Sequence, residues 1–462
     1  MSQDNSREAL SSVLRGLVTE AAPETRLPTS RELQRRFQVS PLTVQQVVSD
    51  LVADGLVTVR PGSGTFVAPA PAPPRPVDLG WQHAALGGNA PQDAARQLSL
   101  MASPSADTVR MSGGYLDPTL LPERALRTST MRALRRSGVW GRAPIEGVGP
   151  LRRWFAREIG GVDASEILIT SGGQSALSVS IRALTRPGDA IVLETPTYPG
   201  FTSIARGHGL EVLPVPSDRE GIRTDVLADV LRAGTARLVV VQPLYANPTG
   251  SVLGRERRQE LLELARAHAL FVLEDDYARD VTIDGPAPPT LASADSDGHV
   301  IHVRSLSKPI APGLRIAGLA ARGPAFARLR AAKLLDDFWV SGPMQEAALD
   351  FLSSPAWTRH RRAVSVELGR RRDGLLAALR EQLPQLEVAN PPAGGMHLWA
   401  RLPDGYDDDD LSARALGAGV MVSSGSAWFP AERDGPHLRL TYGETPLAEL
   451  LDGVRRLASV MS

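Results

Sequence analysis

Of the 51 basic residues in this 462-residue sequence, only Lys308 and Lys333 are lysines. Arginine forms no Schiff base, so any imine chemistry rests on those two amines. There is no cysteine, which excludes disulfides, thiolate nucleophiles and cysteine-based zinc sites. Lys308 lies in the stretch Leu306 to Arg315, directly after the apolar run VIHVRS at 300–305. Other polar residues follow other apolar runs in the same way. Ser171-Gly172-Gly173-Gln174 follows EILIT (166–170) and opens a helical stretch, so its free amides and the helix dipole suit a phosphate. Tyr198 follows AIVLE (190–194), where an aromatic side chain could cover a planar ring. Asn247 follows RLVVVQ (237–242), and Asp275-Asp276-Tyr277 follows LFVLE (270–274). Taken singly, each has an ordinary explanation. Tyr198 could be core, the adjacent acids a cap or solvated turn, and Arg439 a surface arginine on an edge strand.

The elements that must position these residues follow from the runs themselves. Segments apolar throughout suit strands buried on both faces, which predicts an α/β layer built on a mostly parallel sheet, with a further strand GLAA at 318–321. Ligands of such sheets bind beyond the carboxyl ends of the strands. Upstream, PAPAPPRP at 69–76 reads as a semi-rigid linker. It predicts a head at 1–68, a linker at 69–80 and a body at 81–462. Basic and acidic residues balance at 51 each, so any case for DNA must come from local pattern. No apolar stretch approaches the roughly 20 residues of a membrane span, and MSQDNSREAL carries no secretory pattern. A cytoplasmic protein without a metal site is expected. The acidic run Asp407 to Asp410 reads as a solvated loop or helix start.

In the head, Leu10, Val13, Leu14, Leu17 and Val18 share one helical face, predicting a helix over 7–20. Thr29 and Glu32 form a capping box for a second helix that buries Leu33 and Phe37. Ser40 as N-cap and Pro41 at the first helical position start a third. That helix carries Val44, Val47, Val48, Leu51 and Val52 on one face and Thr43, Gln45, Gln46 and Ser49 on the other, with Gly55 closing it. LVTV (56–59) and TFV (65–67) flank Arg60-Pro61-Gly62-Ser63-Gly64, a hairpin. A small interaction module would have these elements too. The literal residues LPTSRELQRRFQVSPLTVQQVVSDLVADGLVTVRPGSGTFVA, however, closely resemble the winged helix-turn-helix of the GntR regulator superfamily. The resemblance implies phosphate contacts from Arg31 and from the wing residues Arg60, Gly62, Ser63 and Gly64. It implies base contacts from the start of the recognition helix, here Thr43, Gln45 and Gln46 because Pro41-Leu42 replaces the family's polar residues.

The body motifs, in this order at these strand ends, resemble the fold-type I enzymes of the aspartate aminotransferase superfamily, which use pyridoxal 5'-phosphate (PLP). The resemblance implies that Lys308 carries the cofactor as an internal aldimine and that Asp275 bonds the protonated pyridine nitrogen. It implies that Asn247 and Tyr277 contact the 3-oxygen, and that Ser305, Ser307, Arg315, Gly173 and Gln174 bind the phosphate. Tyr198 would stack on the ring and Arg439 clamp a ligand carboxylate. Head, linker and body together resemble the MocR subfamily of GntR regulators, usually head-to-tail homodimers. Where many relatives carry a tyrosine that reaches the partner's phosphate, this chain has Trp140. The implied function is transcription regulation at a double-stranded DNA operator, with an amino acid, amine or PLP sensed through aldimine chemistry at Lys308. The alternative is a working aminotransferase carrying a DNA-binding appendage.

Overall fold

The computed structural model describes residues 3–69, 81–82, 85, 105, 107–234 and 236–461. It divides the chain into two compact units, Met1–Asn89 and Ala90–Ser462. Almost all of the expected linker at 69–80 lies outside the described residues.

The first unit is three helices, Gln3–Glu20, Ser30–Phe37 and Pro41–Ala53, followed by strands Val57–Arg60 and Gly64–Val67. The first helix begins earlier than its apolar face predicts. The Thr29–Glu32 capping box forms in both directions, and Ser40 caps the third helix with Pro41 just inside it. That helix ends at Asp54 as C-cap, so Gly55, with φ 70°, occupies the next position, where left-handed backbone favours glycine. Leu10, Leu14, Leu33, Val44, Val47 and Leu51 share one core with Val57 and Val67 of the hairpin. Val52, expected in that core, is instead 42% exposed, since it lies on the flank of the face that buries Val44, Val47 and Leu51, one turn on from the half-buried Val48. Gly62 and Gly64 have φ of 74° and 119°, which turns the wing tightly enough for the Ser63 N–H to donate to the Arg60 carbonyl at 2.9 Å.

The second unit is built on an eight-stranded sheet in the order Ile167–Thr170, Ala317–Ala320, Val300–Ser305, Phe271–Asp275, Leu238–Val241, Ala190–Thr195, Glu211–Asp218, Gly221–Ile222. Ala317–Ala320 and the terminal Gly221–Ile222 run against the direction of the other six strands. Alternate residues leave each strand for different cores. Ile169, Val192, Val239 and Val272 join one cluster, while Leu168, Ile191, Val240 and Leu273 join another. Burial on both faces is therefore the reason these strands read as continuous apolar runs. All six expected strands form within a residue or two of their predicted ends. Glu211–Asp218, which sequence reasoning missed, contains Pro214 and Pro216. Their backbone polar groups face away from the paired strand Ala190–Thr195, and the Pro216 carbonyl accepts from the Arg223 N–H at 2.9 Å, so the prolines cost no ladder bond.

A smaller layer follows in the same unit. Strands His397–Arg401, His437–Thr441 and Ser423–Ser424 form a sheet packed with helices Pro355–Gln382 and Leu447–Met461 around Leu375, Leu379, Leu398, Leu440, Leu450 and Val454. The first described strand of the second unit, Val109–Arg110, pairs with Val420–Met421. Residues 107–121 are thereby held in this layer and reach the carboxyl edge of the large sheet. The acidic run starts a helix: Asp407 is its N-cap, and the buried Asp408 accepts from Arg433 at 2.8 Å. Asp407, Asp408 and Asp409 place ligand oxygens within 4.8 Å of one another, but the fold already employs all three, Asp409 accepting from Ser426 Oγ at 2.8 Å. No described helix is long and apolar enough to cross a membrane.

Candidate cofactor site and DNA-reading surface

The parallel strands deliver their carboxyl ends to one edge in register. Asp275 lies opposite Val303, Val241 opposite Glu274, and Ser305 and Thr170 both opposite Ala317. The polar residues that follow these ends meet there, with Lys308 among them. Its Nζ donates to the Gly114 carbonyl at 2.7 Å and lies 3.7 Å from the centre of the Tyr115 ring. Burial, then the Arg439 charge, push its amine down to about 7, with Arg315 acting in the same direction.

Asp275 is buried at the end of its strand, and its Oδ2 accepts from Gln242 Nε2 at 2.7 Å. Desolvation raises its acid to about 7, against the opposing pull of the Gln242 bond and Lys308. The neighbouring Asp276, which spacing alone does not distinguish from Asp275, is spent on an ion pair with Arg279. Tyr277 donates its hydroxyl to the Tyr245 carbonyl at 2.7 Å, and burial pushes its phenol well up. Tyr198 donates to Gln174 Oε1 at 3.2 Å; burial raises it to about 12.

The turn at Gly172 has φ 92° and opens the helix Gly173–Leu184. A Cβ at Gly172 would lie 2.8 Å from Arg315 Nη2, so only glycine lets the arginine approach this helix N-terminus. Arg315 donates to the Ser171 carbonyl at 3.1 Å. Ser305 Oγ accepts from the Ser307 N–H at 3.3 Å, while Ser307 Oγ is buried without a hydrogen-bond partner among the described residues. Glycine amides, an arginine and an unsatisfied buried hydroxyl make a cradle that fits a phosphate.

Arg439 is 3% exposed, so the surface-arginine reading fails. It lies 4.3 Å from the Trp428 ring centre, and burial lowers it to about 10. Its terminal nitrogens are already occupied. Nη1 donates to Asn247 Oδ1 at 3.2 Å and meets His397 Nε2 at 3.4 Å; Nη2 donates to the Ser112 carbonyl and, at 3.3 Å, to that of Gly113. A carboxylate must displace these acceptors to be clamped. Sequence reasoning missed Gly114, Tyr115, Gln242, His397 and Trp428. Only Gln242, a polar residue closing an apolar run, carried a readable signal.

In the head, Gln45 and Gln46 are exposed and Thr43 half-buried on the recognition helix. The Thr43 N–H donates to Ser40 Oγ at 3.1 Å, which fixes the helix's first turn. Arg31 is exposed one residue into the second helix. Arg60 is half-exposed and shared between Glu24 and the Phe66 ring, 4.7 Å away.

The family model described as aminotransferase class I and II matches residues 117–457. The model described as bacterial regulatory proteins, gntR family, matches residues 13–67. The chain is 31% identical to the HTH-type transcriptional regulator TauR of Rhodobacter capsulatus, over 97% of this chain and 96% of that one. This protein belongs to the regulators that join a gntR head to an aminotransferase class I and II body. The regulator is also 28% identical to the uncharacterised HTH-type transcriptional regulator YdfD of Bacillus subtilis, covering 94% of this chain and 91% of YdfD. Among solved structures it is similar to LysN, the α-aminoadipate aminotransferase of Thermus thermophilus, complexed with N-(5'-phosphopyridoxyl)-L-leucine. That match has a TM-score of 0.73 and 29% identity and covers 79% of this chain and 96% of LysN. The regulator's cofactor is pyridoxal phosphate, and the buried Lys308 amine, the Asp275 carboxylate and the glycine–arginine cradle fit it.

Proposed function

We propose that the regulator senses a small amino acid, amine or PLP itself and converts its binding into operator occupancy, as a MocR-type protein. When bound, PLP supplies an aldehyde that condenses with amines and a ring that withdraws electrons. Lys308 anchors it, Asp275 holds the ring nitrogen, and Asn247 and Tyr277 attend the 3-oxygen. The amides of Gly173 and Gln174, with Ser305, Ser307 and Arg315, hold the phosphate; Tyr198 covers the ring. Arg439 orients a ligand carboxylate. In the head, Thr43, Gln45 and Gln46 read bases, while Arg31, Arg60, Gly62, Ser63 and Gly64 hold phosphates.

The observation that carries this reading is a shared tether. Lys308 and Arg439 donate to the carbonyls of one short segment, Ser112 to Gly114. A ligand that engages both cations competes with both tethers at once, which gives it different affinities for the tethered and released states. Differential affinity is what a ligand-driven switch requires. A homodimer in the cytoplasm completes the proposal. Trp140 and Leu335 are 77% and 88% exposed, and the Phe338 and Trp339 rings lie 5.8 Å apart, apolar surface suited to a second copy.

The test is an absorption spectrum of the full chain with PLP, for wild type and Lys308→Ala, followed by operator titrations with amino acids, amines and PLP. A cofactor band lost in the variant, and an operator affinity that responds to ligand, are expected. An operator affinity unmoved by every compound refutes the sensing role. The complete Lys308, Asp275, Asn247, Tyr277 and Arg439 set also favours a second reading, an aminotransferase with a DNA-binding appendage. Keto-acid formation near ~10 s⁻¹, the median for enzymes, would favour it.

A further inference from the structure

Gln242, the first residue after the strand Leu238–Val241, is 3% exposed. Its backbone N–H donates to the buried Glu194 Oε2 at 2.7 Å. Its side chain works in two directions: Oε1 accepts from the Asn247 N–H at 2.9 Å, and Nε2 donates to Asp275 Oδ2 at 2.7 Å. A carboxamide has one accepting and one donating end. The Asn247 N–H can only donate, so it fixes the oxygen, and the NH₂ is thereby committed to Asp275. Neither end can flip without leaving two buried groups unpaired. One carboxylate oxygen of Asp275 is engaged by a neutral donor whose availability does not change with pH.

We propose that Gln242 is a positioning residue that ties the Asp275 carboxylate and the Asn247 backbone into one unit, holding both against the cofactor ring. The proposal rests on the reading of this site as the PLP site. Asp276, paired with Arg279, does not compete for the amide. The other charged or titratable groups near Asp275 are Lys308, His302, Tyr198 and Tyr277, with Glu194 behind Gln242.

The test uses the full-length protein, with PLP affinity read from the absorbance of the bound cofactor between pH 6 and 8.5 and the thermal unfolding of the second unit, followed by circular dichroism, as a control for folding. Gln242→Leu removes both hydrogen bonds and is expected to weaken PLP about 10- to 100-fold, the ratio that corresponds to one charge-assisted hydrogen bond. Gln242→Glu separates positioning from mere space-filling. When protonated, the introduced acid can donate to Asp275 and accept from Asn247; once ionised it still accepts from Asn247 but loses its donor and repels the Asp275 carboxylate. Its PLP affinity relative to wild type should therefore be close to equal at pH 6 and fall steadily as pH rises. A Gln242→Glu deficit of the same size at every pH, or a Gln242→Leu protein that binds PLP like wild type, overturns the proposal. A wild-type protein that binds no PLP overturns the cofactor reading itself and this inference with it.

Discussion

In the cofactor-free protein, the Lys308 amine should titrate far below an ordinary lysine. Burial is the main cause and the Arg439 charge the next, together bringing it from 10.5 to about 7. At pH 7 about half of the Lys308 amines are then neutral and nucleophilic, against roughly one in three thousand for an unperturbed lysine. The sign is set by charge: a buried cation beside a second cation loses its proton more easily, so reactivity rises through pH 7 and levels off well before pH 10. The sequence makes the assay clean, because Lys333 is the only other lysine and, donating to Asp337 at 2.6 Å, falls in a separate peptide. Trace acetylation across pH 6 to 11, with peptides quantified by mass spectrometry, gives the midpoint for each residue. Arg439→Leu removes the second cause and should move the Lys308 midpoint upward. A wild-type midpoint near 10, or one that Arg439→Leu leaves in place, would refute the argument that this site prepares its lysine by burial and neighbouring charge.

Arg439→Leu should also separate ligands by chemistry. Affinity for an amino acid falls about 100-fold or more, on the scale of two charge-assisted hydrogen bonds, while the corresponding amine without a carboxylate is little affected; titration of the bound cofactor's absorbance reads both. On the head, Gln45→Ala or Gln46→Ala should cost about 1–3 kcal/mol of specific binding and relax preference at one base pair. Arg31→Ala should instead weaken all DNA sequences alike and lower the slope of log affinity against log salt by about one. Leu51 packs only within the head's core, so Leu51→Ala, with a cost of about 2–5 kcal/mol, should abolish operator binding and leave the PLP spectrum intact. Loss of both signals would show the two units to be one folding unit.

What was legible in the sequence was whatever local physics enforces. Strands buried on both faces must be largely apolar, so the six central strands announced themselves. Helix ends need capping groups within three residues, so Thr29, Glu32, Ser40 and Pro41 could be placed by inspection. Lys308 stood out because the rest of the chain avoids lysine. The failures have equally local causes. Val52 continued the apolar spacing on the flank of the helix rather than on its buried face, and Pro214 and Pro216 disguised a strand whose missing amides happen to face outward. Asp275 and Asp276 were indistinguishable as neighbours. They separate only when the fold gives Arg279 to one and Gln242 to the other.

The segment from Ser112 to Tyr115 shows why the rest of the site was hidden. It presents backbone carbonyls and a ring, and a carbonyl belongs to every residue type, so no spacing or composition marks it. Its partners are 194 residues away for Gly114 and Lys308, and 327 for Ser112 and Arg439. Contacts of that separation are set by the smaller layer, where Val109 pairs with Val420 in a two-stranded sheet and Ser423 with Arg439 in a three-stranded one. The sequence named the two cations and the chemistry each could perform. It could not show that both donate to carbonyls of the same stretch of backbone.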